Sequence, residues 1–281
     1  MSFGARLAAA MDDLGPLCVG IDPHPGLLAA WDLPDDPAGL RSFALRVVDA
    51  VAGRVAALKP QSAFFERHGA AGVAVLEEVL TAARGSGSQV ILDAKRGDIG
   101  STMAGYTDAY LREGAPLAAD ALTVSPYLGP ASLDATVDAA LAAGRGLFVL
   151  CLTSNPEGAE VQHVGGRDSV AGRVATWAGG RNAVERAAGA MLGSVGLVVG
   201  ATTGDAAAEL GLDLAAVHGP LLAPGVGAQG AGAPELRRVF GGARGAVLAS
   251  TSRAVLAAGP DPGSLRGAAE RATADAAAAL R

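Results

Sequence analysis

A chain of 281 residues that is 50% hydrophobic and 18% charged has enough apolar side chain for a sizeable core and too little charge for disorder. Its net charge of −6 lacks the basic stripe a nucleic-acid surface needs, and no apolar run is long enough to span a membrane, so neither partner is expected. Residues 1–11 are too polar for a secretory signal, and Cys18 and Cys151 each lie inside an apolar run, which predicts a cytoplasmic chain with reduced, buried thiols.

Taken in chain order, residues 3–14 read as a short amphipathic helix and 17–22 as an apolar strand closed by Asp22 and stopped by Pro23-His24-Pro25. A helix over 39–52 leads to a strand over 55–60 that carries Lys59. Another helix, 66–84, precedes the apolar run Val90-Ile91-Leu92, which ends in Asp93 and Lys95. Residues 102–112 read as helix, 121–126 as strand, 130–143 as helix and 146–153 as strand. A long segment, 154–193, has a Gly-rich front and a helical back half over 170–191. A strand over 195–202, an Ala-rich helix over 205–217, a strand over 220–226, a short helix over 233–240, a strand over 245–252 and a helix from 262 complete the chain.

The strands number eight, each a continuous apolar run without alternation, each separated from the next by a helical stretch. Strands of that kind are parallel and covered on both faces. Eight β-α units in this length predict an α/β chain folded as one (β/α)8 barrel over residues 1–281. A doubly wound open sheet is the second reading, but no G-x-G-x-x-G follows the first strand.

In such a barrel the chemistry lies at the C-terminal strand ends. The chain puts Asp22, Lys59, Asp93, Lys95, Ser125, Thr153 and Thr202 there. Asp93 and Lys95 are two apart, so strand pleating sends both side chains the same way, and Asp98 follows on the loop. A buried charge is costly unless paired, so the pair is either a structural ion bridge or a site. Lysine usage speaks for a site. Only Lys59 and Lys95 among 22 basic residues are lysine, in a chain that otherwise uses arginine for positive charge. An ammonium can give up a proton where a guanidinium cannot.

Phosphate is expected at the last two strand ends, where barrels of this type commonly hold it. The seventh strand runs into Pro224-Gly225-Val226-Gly227-Ala228-Gln229-Gly230. The eighth runs into Ser250-Thr251-Ser252-Arg253 and a helix start, where a guanidinium fork suits phosphate oxygens.

The motif Asp93-x-Lys95-x-x-Asp98-Ile99-x-x-Thr102, with Asp22, Lys59, Leu152-Thr153-Ser154, Pro224-Gly225-Val226-Gly227 and Ser252-Arg253, resembles the orotidine 5′-phosphate decarboxylases over essentially the whole chain. Tyr127-Leu128-Gly129 and Gly227-Ala228-Gln229-Gly230 look like the longer bacterial subgroup. The D-x-K-x-x-D core is shared with metal-dependent sugar-phosphate relatives; Lys59 and Ile99-x-x-Thr102 carry the finer resemblance. Two departures stand out. Gly227 lies where many members have arginine, and Ser252 precedes Arg253 where glycine is usual, which makes Gln229 the candidate for the missing phosphate donor.

The resemblance implies cofactor-free, metal-free decarboxylation of orotidine 5′-monophosphate to uridine 5′-monophosphate, the last step of de novo pyrimidine biosynthesis. It implies that Asp93 presses on the departing carboxylate and that a buried Lys95 protonates C6. Asp22 and Lys59 would hold the ribose, Thr153 the pyrimidine, and Arg253 and Gln229 the phosphate. Asp98 and Thr102 would serve the neighbouring subunit's site in a homodimer, and Ile99 would be a further substrate contact. The alternatives are a metal-dependent sugar-phosphate decarboxylase or aldolase, a Schiff-base aldolase using Lys59 or Lys95, and a non-catalytic nucleotide-binding barrel.

Overall fold

A computed structural model of the chain describes residues 1–226 and 231–280. Eight parallel strands close into a barrel in sequence order: β1 Leu17–Ile21, β2 Ala57–Pro60, β3 Gln89–Arg96, β4 Ala121–Val124, β5 Gly146–Leu152, β6 Val195–Val199, β7 Leu221–Pro224 and β8 Val247–Thr251. Closure is by β1 on β8, with Leu17 opposite Ala249 and Val19 opposite Thr251. The barrel predicted from the eight apolar runs is therefore the fold. Among the described residues no helix is long and apolar enough to cross a membrane.

Two apolar layers hold the barrel. Outward-facing Val19, Ile21, Leu58, Val90, Leu92, Val149 and Leu197 pack under the surrounding helices. Inward-facing Cys18, Ala57, Ile91, Ala121, Phe148, Val198, Leu222 and Leu248 fill the lower barrel. Helix Phe3–Leu14 plugs the bottom: Phe3, Leu7 and Met11 join the inner layer, and the Phe3 ring meets Phe148 edge-on at 6.0 Å. Both cysteines are buried, and burial pushes each thiol up to about 12.

Three of the helices that depart from the sequence reading show why they do. The helix expected from 39 begins at Pro37, because Asp36 caps it by accepting from the Ala38 and Gly39 N–H groups, both at 2.9 Å. The helix expected over 170–191 breaks into Val170–Arg181 and Ala183–Ala187. Between them the fully buried Asn182 amide donates to the Val195 and Val217 carbonyls and accepts from Val195 N–H, tying the break to β6. The Ala-rich helix expected over 205–217 shrinks to Ala206–Glu209. Gly211 turns left-handed at φ 70°, and the Asp213 carboxylate captures the Ala215 and Ala216 N–H groups at 3.1 Å, a local bond that competes with helix.

Candidate active site

Climbing β2, β3 and β4 by two residues changes the barrel interior from apolar to polar. Ala57 gives way to Lys59, Ile91 to Asp93 and Ala121 to Thr123, because residues two apart share a face. These side chains floor a cavity of about 400 Å³ at the C-terminal mouth. Asp22, Lys95, Thr153, Ser252 and Arg253 line the same cavity, as do the apolar side chains Leu150 and Val198. A Cβ on Gly20 would lie 2.9 Å from Ser252 Cβ and 3.1 Å from Asp22 Oδ2, so glycine at that inward position leaves both side chains their room.

Asp93 is the hub. Its Oδ2 accepts from Lys59 Nζ at 2.8 Å and from Gln61 Nε2 at 3.2 Å; its Oδ1 accepts from Lys95 Nζ at 2.8 Å and from Thr123 Oγ1 at 2.9 Å. Four donors on two oxygens fill a carboxylate's capacity. Burial on its own would raise the Asp93 pKa, but Lys59 and then Lys95, by charge and by hydrogen bond, outweigh it and hold the carboxyl well below the usual range. Burial likewise works against the Lys59 ammonium, and the charges of Asp93 and Asp22 overcome it, leaving that pKa above its ordinary value. Asp93 is therefore an anion and Lys59 a cation at neutral pH.

Lys59 and Lys95 differ in exposure. The Lys59 side chain is 8% exposed and Lys95 45%, so the expectation of a buried Lys95 is corrected. Lys95 lines the open cavity from a left-handed backbone, φ 48°, within the irregular register of β3 against β4. A non-glycine residue held there costs about 1–3 kcal/mol. Such strain persists only where the surroundings enforce it.

Asp22 Oδ1, Thr251 Oγ1 and Ser252 Oγ are buried and find no hydrogen-bond partner among the described residues, an arrangement suited to a polar ligand. Thr153 has two partners: its Oγ1 donates to Asn155 Oδ1 at 2.7 Å and accepts from Gln162 Nε2 at 2.7 Å. Arg253 is exposed and opens the helix Arg253–Leu256; it lines the cavity together with Gly225, whose φ of 97° turns the chain after β7. Gln229, with Gly227 and Ala228, lies outside the described residues.

Ser125 and Thr202, also expected at the mouth, do not line this cavity, and neither do three further expected site residues. Asp98, Ile99 and Thr102 stand on the turn and first helical residues after β3 (helix Gly100–Tyr110), with Ile99 62% exposed and Asp98 accepting from its N–H at 2.8 Å. Two hub residues, Gln61 and Thr123, escaped the sequence reading. Gln61 lies two residues beyond Lys59, a same-face spacing that could have marked it. Thr123 sits inside an apolar strand with no such signal.

A (β/α)8 barrel whose mouth carries a Lys–Asp–Lys chain, unpartnered polar groups and an arginine at the start of the helix after β8 has the features of barrels that take small anionic ligands. Residues 15–268 match the family described as Orotidine 5′-phosphate decarboxylase / HUMPS, and the chain belongs to that family. An orotidine 5′-phosphate decarboxylase of Salinispora arenicola is 58% identical over 288 residues, spanning 99% of this chain and 98% of that one. One from Streptomyces coelicolor is 57% identical over 272 residues, covering 96% and 95%. A crystal structure from Streptomyces avermitilis named for the same activity superposes with a TM-score of 0.93 at 55% identity, covering 99% of this chain and 96% of that one.

Proposed function

We propose that the cavity binds orotidine 5′-monophosphate and releases CO₂ and uridine 5′-monophosphate, the closing step of de novo pyrimidine synthesis, with Lys95 as proton donor. The observation that carries this reading is an obligate Asp93 anion 2.8 Å from a cavity-facing Lys95 ammonium. The C6–carboxylate bond breaks and its electron pair stays on C6. The proton of Lys95 Nζ forms the new C6–H bond, and the neutral amine is reprotonated from solvent.

No prosthetic group delocalises the electron pair in this reading, so placed charges carry the chemistry. Asp93 presses on the departing carboxylate: two like charges about 4 Å apart at an effective dielectric of about 20 repel by roughly 4 kcal/mol. The repulsion fades as CO₂ leaves, so it favours the transition state over the bound substrate. Because four donors hold Asp93, it cannot swing away from the substrate to relieve that repulsion. Asp22 and Lys59 take the ribose hydroxyls, Thr153 the pyrimidine, and Arg253 with Gln229 the phosphate, whose binding holds the ring against the strain.

The active unit in this reading is a homodimer with shared sites. Asp98, Ile99 and Thr102 serve the partner's cavity, which accounts for their position outside their own. Exposed Ile99, Tyr127 and Leu128 on neighbouring loops of the same rim support such a contact. So does a cavity of about 870 Å³ beside Lys95 and Thr153, walled by Tyr127, Pro130, Val161 and Val170.

A metal-dependent sugar-phosphate decarboxylase is disfavoured by Lys59, whose ammonium already supplies the positive charge beside Asp93. The deciding experiment follows the absorbance of orotidine 5′-monophosphate with the wild-type chain and with Lys95→Ala. Turnover by wild type in deuterated water should give product carrying deuterium at C6. Lys95→Ala should bind uridine 5′-monophosphate yet lose decarboxylation; full activity in that variant ends the proton-donor assignment.

A further inference from the structure

The pairing of β3 with β4 slips inside the site. Ile91 and Leu92 stand opposite Ala121 and Leu122, and the next matched pair is Arg96 with Val124. Asp93, Ala94 and Lys95 therefore share one opposing residue, Thr123. Two surplus residues on one strand make a bulge, and a bulge re-aims the side chains it carries.

Thr123 organises that bulge through one oxygen. The N–H groups of Ala94 and Lys95 both donate to its Oγ1, at 3.0 and 2.9 Å. Its hydroxyl proton then has one remaining direction, toward Asp93 Oδ1 at 2.9 Å, the same oxygen that Lys95 Nζ reaches at 2.8 Å. The side chain is almost wholly buried, so no water competes for these positions. Beyond the bulge the ladder resumes where Ser125 N–H donates to the Arg96 carbonyl at 2.7 Å. The Ala94 carbonyl accepts from Arg96 Nη1 at 3.2 Å. One hydroxyl thus fixes the left-handed backbone of Lys95 and the carboxylate oxygen that its ammonium touches.

We infer that Thr123 is a positioning residue for the decarboxylation: through Oγ1 it sets the bulge that aims Lys95 and locks the carboxylate of Asp93. The inference rests on the reading of Lys95 as the proton donor. A β4 residue without an oxygen at this place would leave two inward N–H groups with no acceptor and Asp93 Oδ1 held by Lys95 alone. The donor and the carboxylate would then shift relative to C6, while the ribose and phosphate contacts of Asp22 and Arg253, on other strand ends, would remain.

Thr123→Val keeps the volume and branching and removes both hydrogen-bonding roles. It should lower kcat by about 10–100-fold, the scale expected for a misplacement near 1 Å, with KM and uridine 5′-monophosphate affinity changed less than about threefold. Thr123→Ser keeps the oxygen and should return kcat to within a fewfold of wild type. Wild-type kcat in Thr123→Val, or Thr123→Ser no better than Thr123→Val, would overturn the inference. An equal loss of kcat and nucleotide affinity in both variants would overturn it too, since that marks a packing role. Should the valine chain not fold, Thr123→Cys decides: its sulfur fills the site but bonds weakly, and an undiminished kcat there refutes positioning. Activity surviving in Lys95→Ala is the separate result that would remove the proton-donor reading itself.

Discussion

Asp93→Asn isolates the charge at the hub of the site, because asparagine keeps the shape and removes the anion. Lys59, 8% exposed, then loses the carboxylate at 2.8 Å and keeps only the more distant Asp22. Breaking a buried pair from one side costs about 3–5 kcal/mol. Asp22 places this case at the lower end, about 3 kcal/mol. The Lys95 partnership adds little, since an ion pair with a half-exposed partner contributes roughly 0–1 kcal/mol. The assay is urea unfolding at one fixed protein concentration, comparing wild type, Asp93→Asn and the double variant Asp93→Asn/Lys59→Met. Removing the stranded ammonium should restore much of the lost stability. The pH dependence has a fixed sign. The Asp93 pKa is lower folded than its unfolded value near 3.9, so its contribution is whole above that value and fades as pH falls toward the folded one. The gap between wild type and Asp93→Asn should therefore narrow below about pH 4. A loss under about 1 kcal/mol, a double variant no better than the single one, or a gap that widens in acid would refute the reasoning.

Mixing Lys95→Ala with Asp98→Ala chains should restore about a quarter of the wild-type rate, since half the dimers are mixed and each has one intact site; mixed dimers that stay inactive would show that Asp98 does not act in trans. Arg253→Ala should raise KM by about 10–100-fold, the equivalent of one charge-assisted hydrogen bond, with kcat less affected; an unchanged KM would remove Arg253 from the phosphate site. Neither Cys18 nor Cys151 should react with iodoacetamide in the folded chain, because both are buried with thiol pKa values pushed up to about 12, and both should react in denaturant. Stoichiometric labelling of the native protein within minutes would contradict that.

Much of the architecture is legible because it depends on local composition. Apolar runs such as Val90-Ile91-Leu92 can only be covered strands, and eight of them alternating with helices leave few topologies. Asp22, Lys59, Asp93, Lys95 and Thr153 could be placed at the mouth from strand direction alone, and the structure brings all five to one cavity, but not Ser125 or Thr202, placed there on the same ground. Where local signal and tertiary demand compete, the reading fails. The alanines over 205–217 favour helix, but Gly211 and the Asp213 carboxylate divert the backbone. The break at Asn182 exists because its amide serves β6, a partner thirteen residues away.

The sequence by itself determined the barrel, its charged mouth and the rarity of its two lysines, since these follow from hydrophobic runs, strand polarity and residue choice. Only the tertiary structure decided how the charges meet. Register between strands comes from the pairing of whole elements, so nothing in Ala121-Leu122-Thr123-Val124 announces that Thr123 will stand opposite three residues of β3. The same slip turns Lys95 out into the cavity while Lys59 stays buried, and so makes two lysines of one chain into different chemical groups.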